Sequence, residues 1–257
     1  MRYIKSFQND AAIQAAVDNK TLGKPYVALN NATGKIDWNG KDIDYSSMYL
    51  TIEALSGGTF YVRKANFGYS VNGADWEPTT GETALSLNQG DEVRFKGNGT
   101  CKALFSGNTM AFNAYGNIES LEYGDNFSGA TTIKVSSEAF MFLFYDCKEF
   151  IDASKIILPA TTLKKGCYMG MFRSCANLSS VPKLLAPSVP SDAYNSLFTD
   201  CTKLNYIVCL ATSRASQFVT SNWLFGVSPT GTFVKKAGVA WPTGNSGIPD
   251  GWTVVEE

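Results

Sequence analysis

Phe140-Met141-Phe142-Leu143-Phe144-Tyr145-Asp146-Cys147-Lys148-Glu149-Phe150 is the stretch that decides the fold. Its pattern, aromatic-x-x-[Leu/Met]-Phe-x-x-Cys-x-x-[Phe/Leu], returns at Tyr168, Met171, Phe172, Cys175 and Leu178, and again at Tyr194, Leu197, Phe198, Cys201 and Leu204. The cysteines are 28 and then 26 residues apart. That is the period of a repeat architecture, in which each unit buries its apolar face on its neighbours. Within a copy the apolar positions fall at i, i+3, i+4, i+7 and i+10, which predicts a short helix or turn with one apolar face. Farther on, Ile156-Ile157-Leu158-Pro159-Ala160 aligns with Leu184-Leu185-Ala186-Pro187-Ser188, an extended apolar segment ended by proline.

Upstream of the first copy, Ile118, Leu121 and Phe127 read as a degenerate unit. Residues 45–117 change to strands and turns: 49–55, 59–63, 68–71, 84–87 and 92–95 alternate, with turn signals at Asn72-Gly73, Asn88-Gln89-Gly90-Asp91 and Asn98-Gly99. Strands 49–55 and 59–63, separated by Ser56-Gly57-Gly58, are expected to pair as a hairpin, and the whole block as a small β-sandwich. In residues 1–44, Asn9 or Asp10 can cap a short helix carrying Ile13, Ala16 and Val17, and Tyr26–Leu29 with Ile36–Trp38 forms a hairpin. This segment is too small to be stable alone and is expected to attach to a partner. After Ala211 the repeat is expected to stop. Ser213–Phe225 reads as a last helix ended by Gly226, two strands follow at 231–236 and 251–255, and Trp223, Trp241 and Trp252 are the expected anchors of a terminal cap. The expected fold is thus α+β or mainly β. It has an attachment segment (1–44), a β-sandwich-like domain (45–117), a short repeat solenoid (118–212) and a C-terminal cap (213–257).

The composition narrows the chemistry. The chain carries 22 basic and 23 acidic residues for a net charge of -1 and has no histidine. Near-neutral charge argues against nucleic acid as a partner, because such binding rests on clustered Lys and Arg. No apolar run reaches the roughly 18–20 residues that cross a bilayer, and Met1–Asp10 does not read as a secretory signal. The absence of histidine removes Ser-His and Cys-His nucleophile pairs and His-based metal sites. An enzyme is not expected, no cofactor or metal is implied, and no catalytic residue is nominated; the binding residues stay unassigned. Carboxylate-only hydrolysis is the remaining catalytic route. Its candidates, Asp146 and Asp200, occupy one repeat position in separate copies and are expected to form a surface row, with Ser174 between them.

Of the six cysteines, Cys147, Cys175 and Cys201 share one repeat position, Cys167 aligns with Ala139 and Ala193, and Cys101 and Cys209 lie outside the pattern. Alignment with the core face favours free buried thiols, with disulfides as the alternative; no CxxC pair supports zinc. Tyr61, Tyr69 and Trp76 offer either cross-strand packing pairs, the favoured reading, or a sugar-stacking surface.

Met171-Phe172-Arg173-Ser174-Cys175-Ala176-Asn177-Leu178, with its Phe144 and Phe198 counterparts, resembles BspA-like leucine-rich repeats over about residues 127–212. Such repeats occur in surface proteins of gut and oral bacteria and in their phages. Lys24–Trp38 is similar to a leader recurrent in virion proteins of gut-bacterial tailed phages, and Thr230–Trp252 to the end of the same repeat proteins. The resemblance implies a non-enzymatic virion component: a head fibre, capsid decoration or tail fibre. Residues 1–44 would attach to capsid or tail proteins, and a homotrimer would display the repeats to host-surface or mucosal glycans. A secreted or surface adhesin of a gut bacterium is the alternative, and a carbohydrate-active enzyme the third reading.

Overall fold

The computed structural model describes residues 5–7, 27–30, 35–38, 44–97, 99, 103–135 and 137–257. The chain divides into two compact units, Met1–Asp44 and Tyr45–Glu257. In the first, β1 (Lys5–Phe7) pairs in parallel with β2 (Val27–Asn30). β2 pairs antiparallel with β3 (Lys35–Trp38), Val27 opposite Trp38 and Asn30 opposite Lys35, which is the hairpin expected from the sequence. The helix expected around Ile13–Val17 lies outside the described residues.

The second unit is mainly β. Its strands begin with β4 (Leu50–Ala54), β5 (Gly58–Ala65), β6 (Gly68–Val71), β7 (Glu77–Pro78), β8 (Gly81–Leu87), β9 (Glu92–Lys96), β10 (Phe112–Asn117) and β11 (Phe150–Ile157). Six of them form one open sheet in the order β11-β10-β4-β9-β6-β7, and β5 pairs with β8, with a further bridge from Arg63 to Leu104. The hairpin expected between β4 and β5 does not form. Leu50, Thr51, Ile52 and Ala54 are all buried, so β4 is a central strand. Its two edges are taken by β9 and β10, and no edge remains for β5. The chain instead crosses to a second layer, where Phe60 lies 5.3 Å from both Phe105 and Phe112. Alternation identified both strands correctly, but it cannot tell a hairpin from a crossover.

β10 pairs antiparallel with β4 and in parallel with β11, with Phe112 opposite Phe150. The strand-rich block and the repeats therefore share one sheet and one hydrophobic core. On β10, Gly116 admits the close approach of the Tyr49 backbone. Its φ is +92°, and a Cβ there would stand 2.1 Å from the Tyr49 carbonyl oxygen.

The repeat copies are ribbons of turns rather than helices. In the first, Leu143, Tyr145 and Cys147 N–H groups donate to the carbonyls of Phe140, Phe142 and Phe144, three residues back. The intervening amides, Phe140, Phe142, Phe144 and Asp146, donate to Cys167, Met169, Met171 and Arg173 of the second copy at 2.8–3.0 Å. The second copy bonds to the third in the same way, Phe172 to Leu197 and Ser174 to Thr199. Backbone φ is positive every fourth residue: Glu138, Phe142, Asp146; Gly166, Gly170, Ser174; Asp192, Ser196, Asp200. A left-handed residue in each turn stops α-helix propagation and frees alternate N–H groups for the neighbouring copy. Asp, Ser and Gly dominate these positions because they tolerate that conformation.

The remaining strands are β12 (Ser188–Val189), β13 (Tyr206–Cys209), β14 (Ser213–Arg214), β15 (Gly231–Lys235) and β16 (Trp252–Glu256). They continue the stacking, β12 beside β14 and β13-β15-β16, all in parallel. Two layers extend the pattern beyond the three visible copies. Before them, Phe105 N–H donates to Leu143 O, as Phe144 N–H does to Met171 O, so Leu104-Phe105 takes the place of Leu143-Phe144. Ile118 and Leu121 are buried, but Ser120–Tyr123 is a single helical turn outside the ribbon. After them, Tyr194, Ser196, Phe198 and Asp200 donate to Val219, Ser221, Trp223 and Phe225. The expected helix over Ser213–Phe225 is thus a strand, a 3-10 turn at Gln217–Thr220 and a further ribbon layer beyond the Tyr194 copy.

Candidate functional site

The inward positions of the ribbon are consumed by packing. Phe105, Phe144, Phe172 and Phe198 form one column, with ring centroids 5.4, 5.5 and 5.5 Å apart. Phe140, Tyr168 and Tyr194 form a second, which Trp223 extends at 6.2 Å. Trp223 then stacks on Trp241 at 5.2 Å and donates its indole N–H to Gly247 O, and Trp252 donates to Ser228 O.

The cysteines form a third column. Cys175 Sγ donates to Phe144 O and Cys201 Sγ to Phe172 O, each at 3.0 Å, and Cys147 Sγ donates to Phe105 O. Each thiol thus caps the carbonyl of the phenylalanine one layer before it. Cys147, Cys167, Cys175, Cys201 and Cys209 are free and buried; Cys101 lies outside the described residues. Burial pushes Cys167 and Cys209 up to about 12 and Cys175 and Cys201 well above the usual thiol range. A thiol that stays protonated is a poor nucleophile and a poor metal ligand. Among the described residues no three His, Cys, Asp or Glu side chains cluster as a metal site would require.

Asp146 and Asp200 both take left-handed φ, 57° and 61°, with Ser174 between them in the stack, and Asp146 pairs with Lys148 at 3.6 Å. They are separate turn residues two layers apart in the stack. Tyr61, Tyr69 and Trp76 are also not brought together. Tyr61 lies on β5 beneath Arg63, whereas Tyr69 lies on β6 of the six-stranded sheet and donates to Glu77 of the β7 edge strand. Trp76 packs against Tyr49 and under Lys96 and Arg94.

The outward face of the ribbon holds what the sequence did not reveal. Ala103, Leu104, Glu138, Met141, Phe142, Tyr145 and Arg173 line a half-open, largely apolar cleft of about 380 Å³. It spans three layers: Leu104 from the first, the Glu138–Tyr145 turns from the second, and Arg173 from the third. The third layer has Gly166 and Gly170 where the second has Glu138 and Phe142, so the Glu138 and Phe142 side chains have room to lie over it. A Cβ on Gly170 would stand 2.3 Å from the Phe142 ring, so the ring occupies the space a side chain would take. Phe142 meets Tyr145 edge-on at 5.6 Å, and the Arg173 guanidinium lies 6.0 Å from the Tyr145 ring. Arg173 Nε is buried without a hydrogen-bond partner. Glu138 is the single carboxylate of the lining. The readable signal was Gly166-Cys167-Tyr168-Met169-Gly170, two glycines at outward positions that carry side chains in the adjacent copies.

A second cavity, about 290 Å³, lies at the far end among Ala211, Thr212, Ser213, Arg214, Ser216, Val239 and Ala240. Its only charged wall, Arg214, is already stacked 4.5 Å from the Trp241 ring. No helix among the described residues is long and apolar enough to cross a membrane. Comparison with known proteins returns no matching family model, no matching curated protein and no matching solved structure.

Proposed function

We propose that this chain is a non-enzymatic structural and adhesive protein of a virion, a head fibre, capsid decoration or tail fibre subunit. Residues 1–44 attach it to capsid or tail proteins, and residues 45–257 project outward. In this reading the second unit is a short solenoid of the leucine-rich-repeat type, built on a β-sandwich-like base and closed by the Trp223–Trp241–Trp252 end. The observation that carries it is the division of labour in the ribbon. Every repeated inward side chain is buried, and the aromatic and cysteine positions stack into columns, while outward positions differ from layer to layer. A stack with a constant interior and a variable exterior suits display. The resemblance of the repeats to those of gut-bacterial phages and surface adhesins adds the setting. The ligands are host-surface or mucosal glycans, and the working form is a homotrimer.

The test is the mass and location of the full chain. Light scattering after size exclusion should give about 84 kDa, three times the 27.9 kDa of one chain, and the protein should cosediment with particles unless residues 1–44 are deleted. A stable monomer that never associates with particles would contradict the proposal and favour the bacterial adhesin.

A further inference from the structure

The cleft at Tyr145 and Arg173 has the makings of a sugar site, and we propose that it holds one neutral pyranose residue of a glycan. The inference deepens the adhesion reading and rests on it for its biological setting. Its volume, about 380 Å³, falls at the small end of ligand pockets, roughly 300–1,000 Å³. The walls are apolar on several sides: Leu104, Met141, Phe142 and Tyr145. The polar groups are two and opposite. Glu138 can only accept hydrogen bonds and Arg173 can only donate them. Among the described residues they form no salt bridge with each other, and Arg173 Nε is unpartnered.

This pairing selects by elimination. A purely apolar ligand would bury both charges unpaired, at a heavy desolvation cost. A carboxylate ligand would face Glu138, and an amine would face Arg173. A neutral ring with an apolar C–H face and hydroxyls at its rim satisfies everything at once: the C–H face lies on the aromatic wall, hydroxyls donate to Glu138, and hydroxyl oxygens accept from Arg173. The wall is preorganised, because the Phe142–Tyr145 contact and the seat of the Phe142 ring over Gly170 are already made.

The experiment is saturation-transfer NMR on the full chain with methyl pyranosides of glucose, galactose and mannose, with glucuronate and p-cresol as charged and apolar comparisons. At least one neutral pyranoside should bind with Kd on the order of 1 mM, as expected for a ligand of this size. Arg173→Ala and Tyr145→Ala, both at outward positions, should each weaken binding about tenfold while keeping the wild-type circular dichroism spectrum. The proposal is overturned if no pyranoside binds, if both variants bind as wild type does, or if glucuronate or p-cresol binds better than every neutral pyranoside. Sugar binding by a chain that never joins particles would sink the virion reading and leave the site standing. Particle association without sugar binding would do the reverse.

Discussion

The cysteine column and the Glu119–Glu122 turn are both polar groups sealed into the same core, and the chain treats them in opposite ways. Each columnar thiol has a carbonyl to donate to, one layer away. Ser120 is equally well served: its Oγ accepts from Leu50 N–H and donates to Phe95 O, each at 3.0 Å. Its neighbour Glu119 is fully buried, and neither carboxyl oxygen makes a hydrogen bond of normal geometry; the Tyr168 hydroxyl is likewise unpartnered. Burial, with the Glu122 carboxyl close by, pushes Glu119 up to about 9, so it is held neutral at physiological pH. Glu122 is raised by burial in the same direction, offset by the Lys134 and Val135 N–H groups that its oxygens accept. The contrast is between the columnar thiols, each given a carbonyl by stacking, and the Glu119 carboxyl and Tyr168 hydroxyl, which the same core leaves unpartnered.

Three substitutions sharpen that contrast. The largest effect is expected for Phe172→Ala, which opens the middle of the phenylalanine column and should cost about 3–5 kcal/mol in urea unfolding. A loss below about 1 kcal/mol would mean the layers do not depend on one another.

Glu119→Gln should act with the opposite sign. The folded carboxyl keeps its proton up to about pH 9, while the unfolded one releases it near pH 4–5. Stability therefore falls as pH rises between those values. The amide removes this dependence, so the variant should be more stable by about 4 kcal/mol at pH 8, with little difference at pH 4. A gain at pH 4 as large as at pH 8 would rule out the titration.

The smallest effect belongs to Cys175→Ala, which removes one sulfur and one S–H···O contact and should cost about 1 kcal/mol. A variant that fails to fold would show that the thiol does more than fill and cap.

The five repeat positions were legible because identical packing demands identical residue types, and strands β4, β5, β6, β8 and β9 because alternation marks half-buried surface; the two-residue β7 is too short to alternate. The turn ribbon was misjudged for a physical reason. Spacings of three, four and seven residues suit a helix, but a series of four-residue turns also returns side chains to one side. The deciding signal was the Gly, Ser or Asp at every fourth outward position, from Gly166 to Asp200. The outer layers were missed because their columns change residue: Phe105 enters from a different strand connection, and Trp223 fills the Leu197 place while stacking on Tyr194. The cleft was not legible at all from the inward pattern. It depends on outward side chains that differ between adjacent layers, and a repeat motif records only what they share.

The central claim, that the repeated residues are wholly committed to the interior, is tested most directly by alkylating the native protein and mapping each cysteine by mass spectrometry. Cys147, Cys167, Cys175, Cys201 and Cys209 should stay unmodified in the native protein at pH 8 and all react once it is unfolded. Modification of Cys147, Cys175 or Cys201 at the rate of an exposed thiol, or a disulfide joining any two of them, would contradict it.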